Sequence, residues 1–309
     1  MSKTSRQRRP LHGVLLLDKP LGLSSNQALQ QVKRLFHAAK AGHTGSLDPL
    51  ATGMLPICFG EATKLTAFML EANKSYDVIA RLGVSTDTGD AEGEVACELP
   101  VPVLTDTALD QALSDFVGEI EQVPPMYSAL KHEGQRLYAL ARRGIEVQRA
   151  PRKVHIHDLT ILSYKAPNLE FRVGCSKGTY VRTLVEDLAK ALGTVAHVIA
   201  LRRRWVVPFT GERMIPLDAL AGRCEGAPEA ADELLLPVDS AIADWPRLVV
   251  GIELAQRLIQ GQALPAEPSW PQTRVRLCLP GPRFFGIGEV LPDGRLVPRR
   301  ILPGLSPWS

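Results

Sequence analysis

The chain has 309 residues and a formal net charge of +3, and 45% of its residues are hydrophobic and 22% charged. These values are typical of a globular protein with one large domain or two. No apolar run approaches the roughly 20 residues needed to span a bilayer, so we expect no membrane association. The basic N-terminus lacks a secretory apolar core, and the five scattered cysteines argue against a disulfide framework or a zinc site. Together these features favour a cytoplasmic protein.

The first half of the chain alternates apolar runs with turn signals. An apolar run at 13–20 ends in Lys-Pro and predicts a buried strand, and Ser24, Ser25 and Asn26 offer N-cap side chains for the helix that follows. Later residues predict a short helix at 62–70, a strand at 75–83 and an acidic, turn-rich stretch at 86–94. Two more helices are predicted at 104–116 and 137–143.

The second half predicts further strands and the clearest helix of the chain. Strands are expected at 154–162, 169–175 and 201–208. The helix at 179–192 has Val181, Leu184, Val185, Leu188 and Leu192 on one face and Gly193 after its last residue. A connecting region is expected at 219–244. The remaining residues predict a small β-rich unit with a helix at 253–259 and a hairpin at Asp293-Gly294.

The segment from Gly42 to Pro56, GHTGSLDPLATGMLP, has neither helical nor alternating periodicity. Glycines permit unusual backbone angles and Pro49 fixes its own φ, so the segment predicts a shaped loop that presents Asp48. Such a carboxylate has two interpretations, a group that faces a ligand or an ordinary turn residue. Local chemistry alone favours the turn.

Three other short segments contain candidate functional residues. Lys74-Ser75-Tyr76 places an aromatic residue at the start of a strand, and CSKGTYVR (175–182) places Arg182 in the first turn of a helix. Leu201 leads a basic run, 202–204. Taken singly, each has a structural explanation, and basic clusters are as often solvated faces as phosphate contacts.

Taken together, these segments resemble the TruB family of tRNA pseudouridine synthases. The matching motifs are Asp18-Lys19-Pro20 with Ser24-Ser25-Asn26, the Asp48 loop, Lys74-Ser75-Tyr76 and CSKGTYVRTL. The resemblance also includes LGVSTDTGDAEGEV and VPPMYSALKHEGQRLYALARRG, and it extends in matching order from Gly13 to Pro208.

The resemblance implies an α+β fold, in which a mixed, mainly antiparallel sheet carries helices and a small C-terminal β-rich, PUA-like domain follows. The implied organisation is a basic tail at 1–10, a catalytic domain at 11–247 and an RNA-binding domain at 248–309. Within the catalytic domain, residues 124–153 are expected to form an insertion that clamps RNA.

The resemblance also implies an isomerase that converts a T-loop uridine of tRNA, uridine-55, to pseudouridine by base flipping, without metal or cofactor. The implied catalytic residues are Asp48, Tyr76 and Arg182. Asp48 attacks the ribose, attacks the base or removes a ribose proton, and these alternatives stay open at this point. The implied substrate contacts are His43, Tyr76, Tyr180 and Leu201.

The implied partner is the T-arm of tRNA, bound by a monomer. RNA contacts are expected from Lys19, Lys131, Arg142, Arg143 and Arg202, and those of Lys131, Arg142 and Arg143 are expected to be with phosphates. Lys19 and Pro20 are also expected to shape the pocket floor. A role in tRNA folding, with or without catalysis, is an alternative. A glycoside hydrolase is another, although such enzymes usually need two carboxylates and only Asp48 is suitably placed. A third is a guide-RNA-dependent synthase, but those relatives carry longer basic extensions.

Overall fold

The structure is a computed structural model that describes residues 8–128, 130–211 and 213–305. The first thirteen strands are β1 (Gly13–Lys19), β2 (Ala41–His43), β3 (Ala51–Phe59), β4 (Lys74–Leu82), β5 (Val84–Thr86), β6 (Val95–Glu98), β7 (Gly118–Gln122), β8 (Lys131–His132), β9 (Gln135–Arg136), β10 (Arg152–Lys165), β11 (Asn168–Cys175), β12 (Ala196–Val206) and β13 (Ile215–Pro216). The last five are β14 (Arg247–Val249), β15 (Leu264–Pro265), β16 (Arg274–Leu279), β17 (Arg283–Val290) and β18 (Arg295–Ile301).

The helices lie between these strands. The α-helices are α1 (Ser25–Leu35), α2 (Thr66–Leu70), α3 (Asp106–Ser114), α4 (Leu137–Ala141), α5 (Val181–Ala191), α6 (Leu217–Cys224) and α7 (Ile252–Ile259). Short 3-10 helices occur at Gly60–Leu65, Pro228–Leu234, Val238–Ile242 and Pro303–Leu305.

A nine-stranded mixed sheet organises most of the chain. Eight strands follow the order β13-β1-β3-β12-β4-β11-β10-β7, and β2 pairs with β3 at one side. Only the β1–β13 and β3–β12 pairs are parallel, and the other pairs are antiparallel. The predicted α+β fold with a mixed, mainly antiparallel sheet is thereby confirmed.

Helices α1 and α5 pack on this sheet and begin where the sequence places them. Ser24 caps α1 with a reciprocal pair of hydrogen bonds to Gln27, and Ala28, Leu29 and Val32 are buried. In α5 the buried residues include Leu184, Val185 and Leu188, and they join the main hydrophobic cluster together with residues of β3, β4 and β11. Gly193, with φ +77°, follows the end of α5.

The C-terminal residues form a second, five-stranded sheet in the order β14-β16-β17-β18-β15. Its apolar side packs with α7 in a separate cluster that contains Leu258, Leu277, Phe285 and Leu296. The turn between β17 and β18 is closed by a hydrogen bond from the Leu291 N–H to the Arg295 carbonyl at 2.8 Å. The predicted C-terminal β-rich domain is therefore present.

Several predicted boundaries differ from the structure, and two of the differences concern elements of the site. The segment at 42–56 is not all loop, because its ends belong to β2 and β3 and only the part between His43 and Ala51 lies outside strands. Strand β12 starts at Ala196, five residues before the predicted 201. Its first half pairs with β4, and this pairing compensates for a stretch that lacks a clear alternating pattern.

The residues before β1 have a partner in the connecting region. Arg9 forms ion pairs with Asp232 and Glu229, so this part of the predicted basic tail at 1–10 is bound to the fold. Residues 1–7 of that tail lie outside the described residues. Among the helices that the structure describes, none combines the length and apolar character required to cross a bilayer.

Candidate active site

Asp48 lies in the short turn between β2 and β3, and the turn is fixed from below. Ser25, the first residue of α1, accepts a hydrogen bond from the Leu47 N–H at 2.7 Å and donates one to the Leu47 carbonyl at 3.1 Å. The Ala51 N–H donates to the Asp48 carbonyl at 3.0 Å, which closes the turn. The Asp48 side chain remains 42% exposed, so the carboxylate is held in place and still open to a ligand.

Arg182, in the first turn of α5, faces this carboxylate. Its Nη2 is 3.1 Å from Oδ2 of Asp48, and its side chain is only 7% exposed. The same nitrogen donates to the carbonyl of Tyr127, and Nη1 donates to the carbonyl of Thr88, both at 2.7 Å. The guanidinium is therefore fixed by backbone groups as well as by the acid that it pairs with.

A second carboxylate, Asp90, lies on the other side of Arg182. Its Oδ2 is 3.5 Å from Nη1 of Arg182, and its side chain is 5% exposed. Its Oδ1 accepts hydrogen bonds from the Thr88 hydroxyl at 2.6 Å and from the Glu92 N–H at 3.1 Å. The sequence pattern did not single out Asp90, which is buried where Asp48 is accessible. Asp90 belongs to the stretch interpreted only as turn-rich, and the sequence gives no local signal that distinguishes it from Asp87.

The protonation of Asp48 depends on these neighbours. Burial raises the pKa of Asp48 above its usual value, and Asp90 adds to the rise, while Arg182 and Lys19 oppose it. The pKa is thus set by a balance between desolvation and two cations.

Tyr76 and Leu201 form an apolar wall beside Asp48. Leu201 in β12 lies opposite Val78 in β4, and Tyr76 is two residues before Val78, so these side chains share one face of the sheet. Tyr76 is 8% exposed and Leu201 is 9% exposed, and both belong to the cluster that includes Leu47 of the Asp48 turn. Burial raises the pKa of Tyr76, and the nearby Arg203 opposes this rise.

Arg203 also belongs to this face, because it lies opposite Tyr76 in the β4–β12 pair. It is 1% exposed. The sequence pattern did not single it out, because it is the middle residue of the run Arg202-Arg203-Arg204 and a basic run predicts exposed charge. Arg203 differs from Arg202 and Arg204 only because successive side chains of a strand point to opposite faces of the sheet.

His43 and Tyr180 lie at the edges of the pocket. Burial, with a smaller effect of Arg203, lowers the pKa of His43, and its Nδ1 is buried without a hydrogen bond among the described residues. Tyr180 immediately precedes α5, and the side chain of Gln122 holds its backbone. The Gln122 amide donates to the Tyr180 carbonyl at 3.2 Å and accepts from the Tyr180 N–H at 3.0 Å.

One of the expected RNA contacts does not fit its surroundings, and another lies outside the pocket. Lys19 has no exposed surface, and its Nζ donates to the carbonyls of Pro20, Leu23 and Pro49 at 2.9, 2.5 and 3.4 Å. Burial lowers the pKa of Lys19 to about 8. Arg202 lies on the opposite face of the sheet from Tyr76, where it binds both carboxylate oxygens of Asp18. We therefore correct the assignment of Lys19 as an RNA contact, while Arg202, whose side chain is 41% exposed, stays a predicted RNA contact outside the pocket. Lys19 supports the Asp48 turn, and Arg202 does not face the pocket.

The expected phosphate contacts lie in the segment at 124–153 and are exposed. Strands β8 and β9 form a hairpin whose turn residues, Glu133 and Gly134, both have positive φ. Lys131 is on this hairpin, and Arg142 and Arg143 follow α4. These cations are accessible to a polyanion above the pocket-forming elements.

Family models match three consecutive parts of the chain. Residues 33–181 match "TruB family pseudouridylate synthase (N terminal domain)", residues 182–243 match "tRNA pseudouridylate synthase B C-terminal domain", and residues 246–302 match "Pseudouridine synthase II TruB, C-terminal".

Curated relatives are similar over nearly the whole chain. A protein of Nitrosococcus oceani named "tRNA pseudouridine synthase B" is 54% identical over 303 residues, which cover 98% of both chains. One of Pseudomonas paraeruginosa with the same name is 52% identical over 305 residues, covering 98% of this chain and 99% of the relative.

Solved structures share the fold at lower identity. The chain superposes on one in "Crystal Structure of a Cbf5-Nop10-Gar1 Complex" with a TM-score of 0.71 and 24% identity, over 94% of this chain and 84% of the other. Another, "Structure of H/ACA RNP bound to a substrate RNA containing 2'-deoxyuridine", gives a TM-score of 0.69 and 22% identity, over 91% and 78%. Because the family models account for most of its length and full-length relatives exceed half identity, the chain belongs to the TruB family of pseudouridylate synthases.

Proposed function

We propose that this protein isomerises the T-loop uridine of tRNA, uridine-55, to pseudouridine. The observation that carries the proposal is the Asp48–Arg182 pair, in which an accessible carboxylate lies 3.1 Å from a buried guanidinium beside an aromatic wall. Support also comes from the relatives, since proteins of more than 50% identity bear the name tRNA pseudouridine synthase B.

Asp48 is the reactive carboxylate in this proposal. It must be ionised to act on the ribose or the base, and Arg182 favours the ionised form although burial opposes it. Asp90, on the far side of the guanidinium, orients Arg182 toward Asp48. The buried Asp90 does not reach the substrate, because its oxygens are engaged by Thr88, Glu92 and Arg182.

The target uridine must leave the loop to reach Asp48. We place the extruded base against Tyr76, with Leu201 completing the apolar side. Base–aromatic stacking is worth on the order of 1–3 kcal/mol. His43, neutral because its pKa is lowered, fills the position that the base vacates, and Tyr180 contacts the flipped nucleotide.

The segment at 124–153 binds the T-arm in this proposal. Lys131, Arg142 and Arg143 are exposed, and each is suited to contact a phosphate. The C-terminal sheet, with exposed Arg299 and Arg300 on β18, extends the basic surface as a PUA-like domain. We further propose that the protein acts as a cytoplasmic monomer. The free state of all its cysteines agrees with a reducing compartment.

The alternatives receive less support. A glycoside hydrolase needs two carboxylates that flank the bond, and Asp90 is too buried to serve as the second. A guide-RNA-dependent synthase would match the fold similarity to the Cbf5 complexes, but that similarity is at 22–24% identity against more than 50% for the tRNA enzymes. A folding role for tRNA is compatible with the same surfaces and adds to catalysis.

The test is site-specific mapping of pseudouridine in a T-arm RNA after incubation with the protein and with its Asp48→Asn variant. We expect one converted uridine with the intact protein and a loss of about 10⁴-fold or more with the variant, at unchanged RNA affinity. Binding without conversion by the intact protein would instead favour a folding factor. Conversion by the Asp48→Asn variant would show that another group performs the chemistry.

A further inference from the structure

The Arg203 side chain is the largest buried cation on the pocket face of the sheet. It is 1% exposed, and within the described part of the chain it forms no ion pair. Its neighbours in sequence differ, because Arg202 pairs with Asp18 and Arg204 with Asp77. Burying a charge without a counterion lowers the stability of the folded protein. The presence of Arg203 at this position therefore calls for a reason other than stability.

Arg203 connects the two arms of the Asp48 turn to β12. Its Nε donates to the carbonyl of Met54 at 2.6 Å, and its Nη2 donates to the carbonyl of Gly45 at 3.2 Å. Gly45 precedes Asp48 by three residues and Met54 follows it by six. One planar guanidinium therefore fixes the chain on both sides of the reactive carboxylate.

Lys74 brings a second buried cation to the same place. It is 8% exposed, and its Nζ donates to the carbonyls of Leu70 and Ala72 at 3.3 and 2.6 Å. A side chain built on Gly45 would lie 3.7 Å from Nη1 of Arg203 and 3.8 Å from Cε of Lys74. Like Arg203, Lys74 makes no ion pair with a described carboxylate.

The two sides of the pocket therefore differ in charge. On the Asp48 side, the cations of Arg182 and Lys19 are offset by the two carboxylates of Asp48 and Asp90. Beneath Tyr76, Arg203 and Lys74 add positive charge that no described acid neutralises. A base that lies against Tyr76 would be close to this positive side.

We propose that Arg203 is a positioning residue that holds the Asp48 turn and, with Lys74, provides the positive potential that stabilises the uracil anion. The inference rests on the proposed isomerase function and adds a charge-stabilising role to it.

The chemistry requires such a charge at one step. When the bond between uracil N1 and ribose C1′ breaks, its electron pair stays on the uracil, which becomes an anion. In the two routes in which Asp48 acts on the ribose, it either bonds to C1′ or removes the C2′ proton as this bond breaks. Fixed cations in a water-poor site stabilise such a developing charge much more effectively than they would in water.

The test compares Arg203→Gln, which removes the charge, with Arg203→Lys, which keeps the charge but loses the fork of donors. We expect single-turnover conversion of T-arm RNA to slow by about 100-fold in Arg203→Gln and only about 10-fold in Arg203→Lys. RNA dissociation constants should stay within about twofold of the unmodified protein in both, since Arg203 is inaccessible to phosphates. Arg204→Gln, on the exposed face of the same strand, is the matched control and should keep its rate.

Lys74→Gln gives an independent measurement if Arg203→Gln does not fold, which circular dichroism and thermal unfolding will reveal. Its hydrogen bonds lie outside the Asp48 turn, and we expect a slowing of about fivefold from the lost charge alone. Equal rates in Arg203→Gln and the unmodified protein would overturn the proposal. Equal slowing in Arg203→Lys and Arg203→Gln, with Lys74→Gln unaffected, would overturn the role of charge. If the unmodified protein converts no uridine, the proposed function itself fails and this inference fails with it.

Discussion

The Asp48 pocket and the segment at 124–153 hold their charged side chains in opposite ways. Arg182 is nearly buried and is bound by Asp48, Asp90 and two backbone carbonyls. Arg142 in the segment is exposed and lies over the ring of Tyr138, with its Cζ 5.8 Å from the ring centroid. The difference indicates that one region is built for fixed geometry and the other for adaptable contact with a polyanion.

The largest effect expected from this difference is that of Arg182→Met. Removal of the guanidinium leaves Asp48 and Asp90 without their shared cation, so we expect turnover to fall by about 10³-fold or more. Unfolding free energy should fall by about 3–5 kcal/mol, because breaking a buried pair strands the remaining charge. Pseudouridine mapping and urea denaturation measure the two effects. The control is Arg81→Met, at an exposed position. Losses of turnover and stability in this variant as large as those in Arg182→Met would contradict the contrast between fixed and exposed cations.

Two glycines with positive φ give a matched test of stability. At Gly53, with φ +96°, a Cβ would overlap the backbone of Arg203, whereas at Gly134, with φ +82°, nothing lies within 4 Å. We expect Gly53→Ala to cost about 4 kcal/mol or more, as backbone strain adds to a steric overlap. Gly134→Ala should cost about 1–2 kcal/mol from the left-handed conformation alone. Thermal unfolding measures both, and equal costs would show that the pocket is less rigid than its contacts indicate.

Asp90→Asn tests the electrostatic balance in the pocket. Asp90 contributes to the raised pKa of Asp48, so loss of its negative charge should make Asp48 easier to deprotonate. In the proposed function the ionised carboxylate is the active form, so the acid limb of the pH–rate profile should move to lower pH. The maximal rate should fall because Arg182 loses its orienting partner. An acid limb that stays in place would indicate that another group controls it.

The smallest effects are expected in the segment at 124–153. Arg142→Gln and Arg143→Gln should each weaken RNA binding by about two- to fivefold. The number of counterions released on binding, measured from the salt dependence of the affinity, should fall by about one, and the single-turnover rate should not change. Fluorescence anisotropy over a range of salt concentrations measures this. Arg223→Gln, in the connecting region, is the control. A fall in the chemical rate instead of affinity would place these arginines in the pocket.

Local periodicity and caps predicted the capped helix α1 and the clearest helix, α5. The arrangement of the sheet was predicted by the family resemblance, because strand order depends on long-range pairing that local patterns do not record. The sequence also predicted which elements carry Asp48, Tyr76 and Arg182. It missed Asp90 and Arg203, whose importance comes from long-range pairing. The role of Asp90 depends on the contact between its turn and α5. The role of Arg203 depends on the strand alternation that buries it between the half-buried Arg202 and the exposed Arg204. The same alternation places Arg202 on the opposite face of the sheet from Tyr76.

The hydrogen bonds between Gln122 and Tyr180 separate a part of the neighbouring segment whose length is fixed from a part whose length can change. Gln122 holds the residue before α5, and five residues later the Tyr127 carbonyl holds Arg182, so the spacing between these two positions is fixed by the pocket. Beyond Tyr127, the hairpin of β8 and β9 has an open turn at Gly134. Changes in length are therefore tolerable at 132–135 and not at 122–127.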